Sequence, residues 1–204
     1  MAEATTTKSP TVVPTEEWRA ALDRFTERER ELQQAITAVN AERQRLPMVE
    51  VTADYRFEGP DGPATLADLF NDQTQLVIYH FMFAPEWDEG CPGCTGYTNG
   101  VGETSQLNEQ ETQFVLVSRA PVEKLQAWKA KHGWTMPWYS GETRFSEDMG
   151  ALPGGNDMPT INVFVKDADG KIYRSYESSG PSLETTMGQK ALLELTPRGA
   201  DPLG

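Results

Sequence analysis

The sequence predicts an α/β fold, with a central mixed sheet flanked by helices and preceded by a long N-terminal helix. Three observations carry this. Apolar residues recur in a 4-3-4-3 rhythm at Trp18, Leu22, Phe25, Leu32, Ile36, Val39 and Leu46, the spacing of one helix face. Two segments, Gln75–Phe83 and Gln113–Ser118, are apolar at odd and even positions alike, as strands covered on both faces are. Later, Thr160–Val165 and Lys171–Ser175 flank Asp167-Ala-Asp-Gly170, the pattern of a hairpin.

Taken in order, residues 1–14 are rich in Thr and Pro and lack apolar periodicity, so a disordered tail is expected. Residues 15–47 form the long amphipathic helix. Thr15 is its expected cap, Glu16 and Glu17 complement the N-terminal dipole, and Pro47 ends it. Glu29 and Arg43 sit where the apolar rhythm breaks. The seam can pack on the chain's own domain or on a second copy, giving a homodimer through the N-terminal helix. Residues 48–204 make the main domain. It opens with short extended segments, Met48–Thr52 and Tyr55–Phe57, then a turn at Gly59-Pro-Asp-Gly62 and a small helix, Leu66–Phe70, capped by Thr65. Pro121–His132 is amphipathic through Val122, Leu125 and Trp128, and residues 183–195 are expected to be helical with an interruption at Gly188. Strand, helix, strand, helix, hairpin, helix is the thioredoxin order.

Composition bounds the function. With 204 residues, the chain has the length of one domain plus appendages. Its 31 acidic against 18 basic residues give a formal charge of −13, which disfavours nucleic acid and anionic membrane surfaces as partners, because both need clustered Lys and Arg. No apolar run approaches the roughly 20 residues of a membrane span. No basic segment followed by an apolar one opens the chain, so a cytoplasmic location is expected. The cysteine count is two, too few for a disulfide framework or a four-cysteine zinc site.

Those two cysteines form Cys91-Pro-Gly-Cys94, directly after a predicted central strand. A Cys-x-x-Cys there reads as a redox motif. At a helix N-terminus, free N–H groups and the dipole stabilise the first thiolate, and the second thiol, one turn on, resolves a mixed disulfide. Cys91 is the expected nucleophile and Cys94 the resolving thiol. Pro92 suits a first helical turn. Pro159, in Met158-Pro159-Thr160 before a strand, is expected to shape the substrate groove. Its context suggests a cis peptide, set against an ordinary trans proline starting a strand. Trp87 and Arg119 are expected to line the groove. Arg119 is poised to meet a thiolate or an anionic substrate, or to form a surface salt bridge. His80, on the central strand, is a candidate substrate contact or a core residue. A soft metal on Cys91, Cys94, His80 and His132 is a weaker possibility, and no metal or cofactor is expected.

Two features run against a standard oxidoreductase. Glu86, Asp88 and Glu89 precede Cys91, and like charge raises a thiol pKa against a dipole contribution of about 0.3–1 kcal/mol. Gly96, Gly100 and Gly102 follow Cys94. Each costs roughly 1 kcal/mol in a helix interior, so the activating helix is expected to be short or late.

The segment Tyr79-His-Phe-Met-Phe-Ala-Pro-Glu-Trp-Asp-Glu-Gly-Cys-Pro-Gly-Cys94 resembles the core motif of a bacterial thioredoxin-like family, domain of unknown function 899. Val117-Ser-Arg-Ala-Pro121, Gly133-Trp-Thr-Met-Pro-Trp-Tyr139, Leu195-Thr-Pro-Arg-Gly199 and the charged helix ending Arg45-Leu-Pro47 are similar to it as well. The resemblance implies a thioredoxin-like fold with relatives in the thioredoxin and alkyl hydroperoxide reductase class, and no particular reaction. Family members commonly carry aromatic-rich stretches after the cysteines and where this chain has Arg144-Phe-Ser-Glu-Asp-Met149, so a specialised activity has room here. The leading reading is a thiol–disulfide oxidoreductase or peroxidase-like reductase, acting on a small-molecule or protein disulfide or peroxide. The alternatives are a pathway-specific enzyme acting on a small molecule in the same pocket, and a redox-inert or metal-binding scaffold.

Overall fold

A computed structural model describes residues 10–200. Residues 1–9 of the expected tail lie outside the described residues. The chain divides into two units: the segment up to Pro47 together with Leu193–Ala200, and the body Met48–Leu192.

In the first unit the helix α1 spans Thr15–Arg43. Thr15 is not its cap. Pro14 holds the N-cap position, no side chain caps the end, and the Pro14 carbonyl accepts the Trp18 N–H at 3.0 Å. The helix stops four residues before Pro47, and the Arg45 side chain donates back to the Ala41 carbonyl at 2.8 Å. None of its residues is buried.

The body is built on strands β1 (Val49–Glu50), β2 (Arg56–Gly59), β3 (Gly62–Thr65), β4 (Gln75–His80), β5 (Thr112–Ser118), β6 (Trp138–Gly141), β7 (Thr160–Lys166) and β8 (Ile172–Ser179). They form one sheet in the order β1-β8-β7-β4-β5-β6-β2-β3. The pair β4–β5 is parallel, while β4–β7 and β7–β8 are antiparallel. That arrangement, with α2 (Pro92–Val101) and α3 (Val122–His132) as the connections around β5, is the thioredoxin-like fold.

Strand β4 lies at the centre because it is apolar on both faces, and each face feeds its own core. On one side Tyr79, Phe81 and Phe83 pack with Leu116, Leu125, Trp138 and Cys94. On the other, Leu76 and Ile78 pack with Val115, Val117, Phe145 and Phe164. Filling both cores is the dominant stabilising term, about 25 cal/mol per Å² of apolar surface removed from water.

Several elements differ from the sequence expectation. The small helix after Thr65 is a single 3-10 turn, Asp68–Phe70, tied by the Asp68 carboxylate accepting from both the N–H and hydroxyl of Thr65 at 2.7 Å. Strands β3 and β6 and the helix α4 (Thr143–Asp148) have too few residues for periodicity to announce them. The C-terminal helix is two pieces, a 3-10 stretch Gly180–Thr186 and α5 (Gly188–Glu194), with extended backbone at Met187 between them.

Candidate active site

The loop from Phe81 to Gly90 carries the chain from β4 to the cysteines. Beyond His80 the strand continues to pair with β5, through Phe81 N–H to the Val117 carbonyl (2.9 Å) and Ala120 N–H to the Phe83 carbonyl (2.8 Å). The loop is then gathered by Lys124, whose ammonium donates to the Pro85 and Trp87 carbonyls at 3.0 and 2.7 Å. Gly90 lies against the Phe81 ring, where a Cβ would come within 2.7 Å of it. The Cys91 N–H then returns to the Met82 carbonyl at 3.1 Å.

Cys91 is the N-cap residue of α2 itself. The helix is neither short nor late: Pro92 occupies its first position, and it runs ten residues through Gly96 and Gly100. Tertiary packing overrides the propensity cost. A Cβ at Gly100 would press on the Met187 side chain, 2.4 Å from its terminal methyl and 3.3 Å from its Cβ, so the glycine lets the C-terminal segment pack closely against α2 without that side chain moving.

The two sulfurs have opposite environments. Cys91 Sγ accepts the Cys94 N–H at 3.4 Å. The Cys94 thiol hydrogen-bonded to it, aided by the backbone N–H groups of Cys94 and Gly93, holds the Cys91 thiol down at about 6, against the opposing effect of partial burial. The acidic loop does not leave the thiol raised, contrary to the sequence expectation: the hydrogen bonds prevail. Glu89 turns outward to Lys131, at 3.2 Å. Cys94 is buried and accepts the Met82 N–H at 3.4 Å. Its thiol is pushed far up by the hydrogen bond to Cys91 and by burial, while the Tyr79 hydroxyl and the Met82 N–H favour its thiolate. Both cysteines are free thiols.

A cavity of about 260 Å³ opens beside them, lined by Met82, Cys91, Gly93, Cys94, Tyr97, Pro159, Gly180, Leu183 and Glu184. Pro159 is therefore beside the cysteine pair, but no peptide bond among the described residues is cis, Met158–Pro159 included. Trans is the lower-energy form even before proline, by about 0.5–1 kcal/mol.

The other predicted site residues lie elsewhere. Trp87 is 37% exposed on the loop and does not line the cavity. Arg119 binds Asp157 through two hydrogen bonds of 2.9 and 2.7 Å, with both side chains largely buried. It is neither free for a thiolate nor part of a surface salt bridge. His80 is buried on the opposite face of the sheet, stacked on Phe145 with ring centroids 5.3 Å apart. Its Nε2 has no hydrogen-bond partner, and burial, then the Arg174 charge, pushes its pKa down to about 3. His80 and Arg119 share a void of only about 10 Å³ with Ser118, Ser146 and Asp157. That is about the room of one water. His132 stacks on Trp134 (4.9 Å) and does not line the cavity, and among the described residues no three His, Cys, Asp or Glu side chains are grouped to hold a metal.

Tyr79, Tyr97, Leu183 and Glu184 were not singled out from sequence. Tyr79 had a signal, its position on the strand that leads to the motif. Leu183 and Glu184 had none, since they reach the cysteines only through the fold of the C-terminal segment.

The profile of the family described as bacterial protein of unknown function (DUF899) matches residues 7–203. No curated protein matches the chain. Among solved structures, it is similar to peroxidoxin BcpB from Mycobacterium tuberculosis (20% identity, 66% of this chain and 85% of that one, TM-score 0.45). It is similar also to a mutant of PrxQ from Xylella fastidiosa (14% identity, 72% and 94%, TM-score 0.48). A third is a thiol:disulfide interchange protein from Bacteroides sp. (14% identity, 77% and 94%, TM-score 0.48). No helix among the described residues is long and apolar enough to cross a membrane.

Proposed function

This chain belongs to the bacterial DUF899 family, and on that premise we propose that it is a thiol–disulfide oxidoreductase that uses Cys91 and Cys94. One observation carries the reading: the Cys91 sulfur caps α2, with a low pKa, between the buried Cys94 thiol behind it and an open groove in front. In the reductive direction the Cys91 thiolate attacks a substrate disulfide, forming a mixed disulfide and expelling one thiolate, which takes up a proton. Cys94 then gives up its proton and attacks the Cys91 sulfur. The second substrate thiol leaves, and two electrons have passed from the protein to the substrate. The Met82 N–H and the Tyr79 hydroxyl stabilise the Cys94 thiolate that this second step needs. Peroxide reduction is the weaker branch, because no cationic side chain among the described residues lines the groove to polarise a peroxide, and Arg119 is held by Asp157 outside it.

The test is equilibration with dithiothreitol and then glutathione redox buffers, followed by mass mapping of thiols. The expected result is a single two-electron transition that links Cys91 to Cys94 and reverses on reduction. Both cysteines remaining free across the whole range would overturn the reading.

A further inference from the structure

We infer that the groove beside Cys91 selects disulfides flanked by apolar groups without negative charge, and discriminates against anionic ones such as glutathione disulfide. The inference rests on the redox reading above and names the substrate class of that site.

The walls supply apolar contact: Met82, Tyr97, Pro159 and Leu183 face the same space as the two sulfurs. The Tyr97 hydroxyl is turned to Thr186, at 2.6 Å. Among the described residues, no Lys, Arg or His lines the groove. The carboxylate on its wall, Glu184, is paired with Lys190, so neither member of that pair is free to receive a substrate carboxylate. A helix N-terminus is an anion site in its own right, but here the end of α2 is filled by the Cys91 sulfur, which takes the Cys94 N–H. The only cation near this edge of the sheet that the sequence suggested for an anion, Arg119, is bound by Asp157. The chain as a whole carries −13, and of the acidic residues that lead into Cys91, Glu89 is offset by Lys131. An anionic disulfide would therefore approach against the field and lose hydration with no partner in return. A neutral apolar one has neither penalty.

The experiment is single turnover of the fully reduced protein at low ionic strength with two aromatic disulfides of similar shape, neutral dithiodipyridine and dianionic dithiobis(nitrobenzoate). Each rate is divided by that of free dithiothreitol with the same reagent, which removes intrinsic reactivity. Reduction of either reagent yields two thiols and the Cys91–Cys94 disulfide, so electrons balance without a further reductant. We expect the normalised rate to favour the neutral reagent roughly tenfold or more, the scale of electrostatic focusing in clefts, and the preference to narrow as salt screens the field. Glu184→Lys, or Glu184→Gln should the first fold poorly by circular dichroism, should shift the ratio several-fold toward the anionic reagent. Equal normalised rates, with the intramolecular disulfide formed in both cases, would overturn the selectivity while leaving the redox reading intact. Failure of both reagents to produce that disulfide would overturn both readings, and failure of the neutral reagent alone would overturn the selectivity.

Discussion

The two faces of strand β4 end in opposite ways. On the face of Tyr79 and Phe81 the strand delivers the cysteine pair to an open groove of about 260 Å³, with an activated sulfur and apolar walls. On the face of His80 the same strand end closes over an ion pair, an unpartnered imidazole nitrogen and a void of about 10 Å³. Both faces hold groups that the sequence marks as chemical, yet only one leaves room for a ligand. Residue type nominates a site, and access decides whether it is one. The closed face is a polar fastening between Arg119 at the end of β5 and Asp157 before β7, and its stake is stability.

That contrast predicts a division of effects between the faces. The largest should follow from Asp157→Asn, which leaves Arg119 largely buried without its counter-charge. Removing one partner of a buried pair costs about 3–5 kcal/mol, and the low end fits a pair that retains some exposure. The urea midpoint should fall accordingly while the refolded protein keeps its Cys91–Cys94 redox transition. Loss of the transition with stability intact would erase the division between faces.

His80 gives the next effect. Its imidazole is neutral in the fold, with a pKa near 3, against an ordinary 6.5. Between those values the unfolded chain binds the extra proton, so stability is full above about pH 6.5 and declines as pH falls toward 3. The slope of 1.36 kcal/mol per pH unit gives a loss of about 2 kcal/mol between pH 6.5 and 5. His80→Phe, which keeps a ring against Phe145, should remove that part of the acid sensitivity in urea melts at the two pH values. An unchanged slope would mean His80 is protonated in the fold.

The smallest effect belongs to the open face. Alkylation of Cys91 by iodoacetamide should rise with pH around 6, because the thiolate is the reactive form. In Cys94→Ala the midpoint should move up by about one pH unit, the worth of one hydrogen bond to a charged acceptor, with Cys94→Ser between the two. Neutralising Glu86, Asp88 and Glu89 together should move it far less. A downward shift from the loop variant larger than the upward shift of Cys94→Ala would restore the loop as the control on Cys91.

Legibility in the sequence followed the range of the interactions involved. The central strands, α3 and the β7–β8 hairpin were readable because their signals, two-sided apolar runs, a helical stripe and an Asp-Gly turn, are local and strong. Strands β3 and β6 and helix α4 have four to six residues, and their existence depends on pairing with β2 or packing Phe145 into the core. At the site, the cysteine pair and Pro159 were named from spacing and order. Trp87 and Arg119 were nominated for the same groove on position alone. Where a side chain goes from a loop or a strand end depends on neighbours remote in sequence: Asp157 drew Arg119 away, and Lys124 fixed the loop of Trp87.

By itself, then, the sequence determined which groups are candidates for chemistry and the scaffold that presents them. A Cys-Pro-Gly-Cys segment after a buried strand requires only local geometry, since Cys91 caps the helix that begins at the next residue. What tertiary structure alone decided was electrostatic and steric. Three carboxylates beside Cys91 in sequence promised a raised thiol pKa, but charges act through space. The sulfur senses the Cys94 thiol and N–H that the helix places against it, while Glu89 points to Lys131. Likewise the glycines after Cys94 promised a weak helix in isolation, but burial of α2 against Met187 outweighs roughly 1 kcal/mol per glycine of backbone entropy. Local rules set the identity of the reactive groups, and long-range packing set their protonation, their partners and the space in front of them.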